Sequence, residues 1–212
     1  MIAEATRRSP LADYVDRFAA LSQSTHGTLV IREIRFLTQI NFRANPLETE
    51  VMAGVQHQLG ITPPVEPNTV ATQGDRSCLW LGPDEWVIVA PPDQQRAIEA
   101  PLRSALGHHP GSIVDVSANR TVIEVSGSSA RDLLANGCSI DLHPRAFGPG
   151  RCAQTLLAKA QVIIHRTADT PAFLIYVRAS FATYLADWLL DATGGLEDDI
   201  KPRAPLTRRR QS

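Results

Sequence analysis

At 212 residues the chain has room for one large domain or two small ones, taking about 100–200 residues per domain. Its 43% hydrophobic content is enough for a buried core, and a net charge of −1 gives no global reason to expect nucleic acid or a membrane surface as partner. Cys78, Cys138 and Cys152 are an odd set without C-x-x-C spacing, which argues against a disulfide framework or a zinc site. No apolar run approaches the roughly 18 residues needed to span a bilayer, so a soluble, cytoplasmic protein is expected.

Ser9-Pro10 opens the first element as an N-cap with proline at the first helical position. Leu11, Tyr14, Val15 and Phe18 follow at helical spacing, and their stripe must pack on the rest of the chain or on another chain. From Ile34 to Phe42 the parity is that of a strand. Asn45-Pro46-Leu47-Glu48 reads as the start of a helix with Val51, Val55 and Leu59 on its buried side and Gly60 as its stop. Cys78–Leu81 and Trp86–Val89 flank Gly82-Pro83-Asp84-Glu85, which predicts a hairpin with a four-residue turn. Ile98, Leu102 and Leu106 share one face of a further helix, which Pro101 should kink or restart.

A second copy of this grammar begins with strands at Ile113–Val116 and Thr121–Val125. A helix opens at Gly127-Ser128-Ser129, and residues 139–150 are irregular. Leu156–His165 and Ala172–Arg178 read as a strand pair. Ser180 then caps a last helix carrying Phe181, Tyr184, Leu185, Trp188 and Leu189. The expected fold is α+β, built from two pseudo-repeated halves of antiparallel sheet and helix. The divisions fall at 1–27 (N-terminal arm and helix), 28–110 (first half), 111–196 (second half, in one compact unit with the first) and 197–212 (a disordered basic tail).

Chemistry is sparse. Asp84 and Glu85 at the hairpin turn are the best candidate, two adjacent acids beside a glycine that burial would convert into a polarising group, although Pro-Asp is also ordinary turn chemistry. Asp115 and Arg120 sit close enough in sequence for a local ion pair across their turn. His143 lies in the irregular loop, and no His, Cys, Asp and Glu set has metal-ligand spacing. No catalytic constellation is assembled in either half.

Taken in order, several stretches resemble the gamma subunit of heterotetrameric sarcosine oxidase. They begin with Ser9-Pro10-Leu11-Ala12 and Phe36-Leu37-Thr38-Gln39-Ile40-Asn41-Phe42-Arg43. The most specific is Leu79-Trp80-Leu81-Gly82-Pro83-Asp84-Glu85-Trp86, followed by Val114-Asp115-Val116-Ser117 and Asn119-Arg120-Thr121. Asp141-Leu142-His143-Pro144, Phe147, Cys152-Ala153-Gln154-Thr155 and Ser180-Phe181-Ala182 complete the set, which runs over residues 9–192.

This resemblance implies a fold like the folate-binding domain of the aminomethyltransferases of the glycine cleavage system. It implies an oxidoreductase complex with alpha, beta and delta partners, in which sarcosine is oxidatively demethylated to glycine. The other products are hydrogen peroxide and formaldehyde or 5,10-methylenetetrahydrofolate. FAD, FMN, NAD, zinc and tetrahydrofolate are expected on the other subunits and none on this chain, whose own role is architectural. The candidates for subunit contacts are Leu11, Tyr14, Phe18, Trp86, Asp115, Arg120, His143 and Phe147. The aminomethyltransferases carry an acid pair in a glycine-containing hairpin, so the rival is a stand-alone folate-binding protein that uses Asp84 and Glu85. A third possibility is the same scaffold in a complex oxidising another N-methyl amine.

Overall fold

The structure, a computed structural model, describes residues 7–168 and 171–194; the expectation for the tail at 197–212 lies outside the described residues. The strands are β1 (Val30–Ile34), β2 (Thr38–Ala44), β3 (Val70–Gln73), β4 (Arg76–Gly82), β5 (Glu85–Ala90), β6 (Gly111–Asp115), β7 (Arg120–Ser126), β8 (Arg151–Leu157), β9 (Ala160–Ala168) and β10 (Ala172–Arg178). The helices are α1 (Val15–Ser24), α2 (Thr49–Leu59), α3 (Gln95–Leu106), α4 (Ala130–Ala135) and α5 (Ala182–Ala192).

Every ladder is antiparallel, and the strands form two five-stranded sheets ordered β3-β4-β5-β2-β6 and β8-β9-β10-β7-β1. The two orders superpose term by term, with α2 matching α4 and α3 matching α5, so the duplication is real. Its fifth strand is filled differently in each copy. β6 follows α3 directly, whereas the equivalent place beside β7 is taken by β1 from the start of the chain.

Strand parity builds four layers. Ile40, Phe42, Trp86 and Ile88 face α2 and α3, where they meet Val51, Val55, Ile98 and Leu102. Ile123, Val125, Ile175 and Val177 face α1, α4 and α5. The residues between them in sequence, Val87 and Val89 from one sheet and Val122 and Tyr176 from the other, meet in a third cluster between the sheets. Strands buried on both faces read as near-continuous apolar runs, which is the pattern of β5 and β10.

Several local expectations need correction. The run Ile34–Phe42 is not one strand: the chain turns at Phe36, whose φ is 59°, and β1 and β2 enter different sheets. A bulky aromatic at positive φ is rare, so the turn carries no sequence signal. β6 and β7 likewise part into different sheets, and Leu156–His165 contains a hairpin at Ala158, φ 52°. The first hairpin has a two-residue loop, Pro83-Asp84, because Gly82 and Glu85 pair directly. Asn45 Oδ1 accepts from Leu47 N at 3.0 Å and closes a turn ahead of α2 instead of capping it. Ser180 lies inside a 3-10 turn, and α3 runs continuously through Pro101. No helix among the described residues is long and apolar enough to cross a membrane.

Candidate functional site

The β4–β5 hairpin places Asp84 and Glu85 beside β2. In register, Arg43 is the residue opposite Glu85, and its Nη2 lies 3.2 Å from Glu85 Oε2 and 3.6 Å from Asp84 Oδ1. Asn41 Nδ2 donates to Glu85 Oε1 at 2.8 Å. Asp84 also closes the hairpin onto β2, since Ala44 N donates to its carbonyl at 3.2 Å. Both carboxylates thus share the one Arg43 guanidinium on the same sheet. Asp84, but not Glu85, borders an open hollow lined by Pro46, Leu47, Pro83 and Pro110, unlike the enclosed slot that a ring-bearing ligand requires. Arg43 and Asn41 hold the acids in the sheet, and no enclosed pocket gathers both of them among the hollows at the hairpin.

The proposed contact residues separate by burial. Leu11 and Phe18 are sealed in the core beneath α1, so the N-terminal stripe packs on this chain and not on another. Val15, which the spacing placed on that stripe, is exposed instead. Phe147 joins the same core, and its carbonyl accepts from Arg166 Nη1 at 2.7 Å. Trp86 is fully buried, stacked on Phe42 at 5.7 Å, with Nε1 donating to Pro64 O at 2.7 Å. Leu11, Phe18, Trp86 and Phe147 are therefore corrected from contact candidates to core residues, because no surface of their side chains is left to offer. Tyr14 is half-buried, while Asp115 and His143 are exposed.

Asp115 and Arg120 do not pair. Asp115 Oδ1 accepts from Ser117 N at 2.9 Å and from Ser117 Oγ at 2.5 Å, which fixes the β6–β7 turn. Arg120 instead stands directly opposite Arg178 across β7 and β10. Alternation from Val122 and Tyr176, both buried between the sheets, places the two arginines on that same side. There they line a cleft of about 420 Å³ together with Ser139, Gln154, Leu156 and Gln161. Gln154 Nε2 donates to Leu81 O at 2.8 Å, which sets the cleft beside the base of the hairpin. Burial and the facing Arg178 charge lower the pKa of Arg120, while Glu85 acts in the opposite sense.

Arg178 and Arg43 were not singled out from the sequence. Both lie at strand ends, and only the cross-strand register reveals what they oppose. Elsewhere, burial pushes the Cys152 thiol up to about 11 and that of Cys78 higher still, so neither is poised as a nucleophile. Among the described residues no group of three or more His, Cys, Asp or Glu is arranged to hold a metal ion.

Residues 43–195 match the family model described as sarcosine oxidase, gamma subunit family. The chain is 39% identical over 193 residues to the sarcosine oxidase subunit gamma of Corynebacterium sp. (strain P-1), covering 88% of this chain and 89% of that one. Its fold superposes with a TM-score of 0.79 and 34% identity on a chain of the heterotetrameric sarcosine oxidase from Corynebacterium sp. U-96 in complex with pyrrole 2-carboxylate, over 89% of this chain and 95% of that one. A glycine cleavage system aminomethyltransferase T from Bartonella henselae shares the fold at a TM-score of 0.59 and 12% identity, over 77% of this chain and 45% of that protein.

Proposed function

The chain belongs to the sarcosine oxidase gamma subunit family, and from that premise we propose that it is the structural gamma subunit of a heterotetrameric sarcosine oxidase. The observation that carries this is the extent of the likeness: one relative matches it nearly end to end, and a chain of an assembled oxidase is covered to 95%. Its role is to hold partner chains, here taken as alpha, beta and delta. Those chains bear FAD, FMN, NAD, zinc and tetrahydrofolate and carry out the oxidative demethylation of sarcosine to glycine. Cytoplasmic placement is supported by three free cysteines. The aminomethyltransferase fold is retained, and the acid pair in its hairpin is tied to Arg43 and Asn41, which favours a scaffold over a folate-binding enzyme.

The test compares the chain alone with the chain co-expressed with its partners. Sarcosine-dependent peroxide formation is expected only from the assembly. Turnover by the isolated chain with added flavin would overturn the scaffold assignment. Saturable tetrahydrofolate binding that Asp84→Asn abolishes would favour the stand-alone alternative.

A further inference from the structure

The geometry points to the Arg120–Arg178 cleft as a docking point for an acidic segment of a partner subunit, a carboxylate side chain seating between the two guanidinium groups. This rests on the assignment of the chain as a subunit.

Like charges directly opposite one another on adjacent strands are destabilising. Arg120 and Arg178 occupy such a pair, and among the described residues neither forms a salt bridge. Other arginines of the fold do have carboxylate partners: Arg32 meets Glu124 at 2.7 Å, Arg151 meets Glu66 at 2.7 Å and Arg43 meets the hairpin acids. What sets this pair apart is that its two unbridged charges face each other in register across adjacent strands. Arg120 is half-buried, so water alone relieves its repulsion from Arg178 only partly. Glu85, the acid of the other sheet whose charge reaches Arg120, is already committed to Arg43 and Asn41.

Two planar guanidinium groups facing one cleft match the oxygens of a carboxylate, and arginine is the residue suited to such forked contacts. The cleft exceeds a single ion in volume, and its rim carries Leu156, 48% exposed, with the polar Gln161 and Ser139. An apolar contact beside a charged one suits a peptide segment with an acid flanked by aliphatic groups better than it suits a bare oxyanion. Charge complementarity of this kind sets register and association rate in an assembly.

The experiment uses the full chain co-expressed with the other subunits of its oxidase. Arg178→Glu and Arg178→Lys are compared with the parent by the fraction of complex surviving dilution. Arg178 is exposed, so the isolated Arg178→Glu chain should melt no lower than the parent, which separates assembly from folding. Complex dissociation by Arg178→Glu is expected to increase on the order of tenfold or more, with Arg178→Lys between the two because it keeps the charge but loses the fork. Assembly unchanged in Arg178→Glu overturns the docking point and leaves the subunit assignment standing. Citrate that raises the melting temperature of the isolated parent but not of Arg178→Glu, with assembly of the variant unchanged, would make the cleft a small-anion site and overturn the docking point. If the parent itself fails to co-purify with the other subunits, both the assignment and this inference fall.

Discussion

Arg43 faces Glu85 across the β2–β5 ladder, and one guanidinium reaches both acids of the hairpin turn, at 3.2 Å and 3.6 Å. A pair of acids that resembles a polarising site is thereby a fastening between the loop and the neighbouring strand β2. The Arg43 and Asp84 side chains are 50% and 59% exposed, so their attraction is screened by water. Asp84→Asn should change stability by less than about 0.5 kcal/mol. Glu85→Ala, which also leaves Asn41 without its acceptor, should cost about 1 kcal/mol. Urea denaturation of both variants measures this, and a larger loss for Asp84→Asn would contradict the fastening as described.

Trp86 links the hairpin to the linker before β3 through its bond to Pro64 and fills the core beneath α2 and α3. Trp86→Ala should destabilise by about 3–5 kcal/mol, combining lost burial with a cavity. Trp86→Phe keeps the ring against Phe42 but orphans the Pro64 carbonyl, for a loss of about 1–2 kcal/mol. Equal losses in the two variants would show that the indole bond, not the packing, dominates.

His165 is buried between the sheets, with Nδ1 unpartnered, and burial lowers its pKa from 6.5 to about 4. Below its ordinary pKa the unfolded chain binds a proton that the native imidazole refuses until about pH 4. The native state therefore has its full share of this stability above about pH 6.5, and loses it as pH falls toward 4, by up to about 3 kcal/mol. His165→Leu should flatten the stability profile in that window, measured as denaturation midpoints at stepped pH. Parallel profiles for parent and variant would rule out His165 as the titrating group.

Gly127 ends β7 with φ +106°, and a Cβ built there would overlap the Thr28 carbonyl. Gly127→Ala should cost about 1–3 kcal/mol from backbone strain, with the overlap added. Gly74, φ +60°, has open space around its would-be Cβ, so Gly74→Ala should cost only about 1 kcal/mol. Chemical denaturation ranks the two, and an equal cost would remove the close approach of Thr28 as a cause.

The sequence by itself determined the α+β class, the duplication, most helices and the hairpin acids, because each rests on local periodicity, turn chemistry or ordered motifs. Val51, Val55 and Leu59 needed no neighbour to announce their helix. The tertiary structure decided which strand joins which sheet. That choice turned on Phe36 at positive φ and on a five-residue β1 that completes the sheet of the other half, and neither leaves a pattern along the chain. It also decided which apolar residues were spent on the core, moving Leu11, Phe18, Trp86 and Phe147 inside. Finally, it brought Arg120 against Arg178, 58 positions further along. Charges so distant meet only through strand register, a long-range property fixed by the packing of both faces and not by the residues between them.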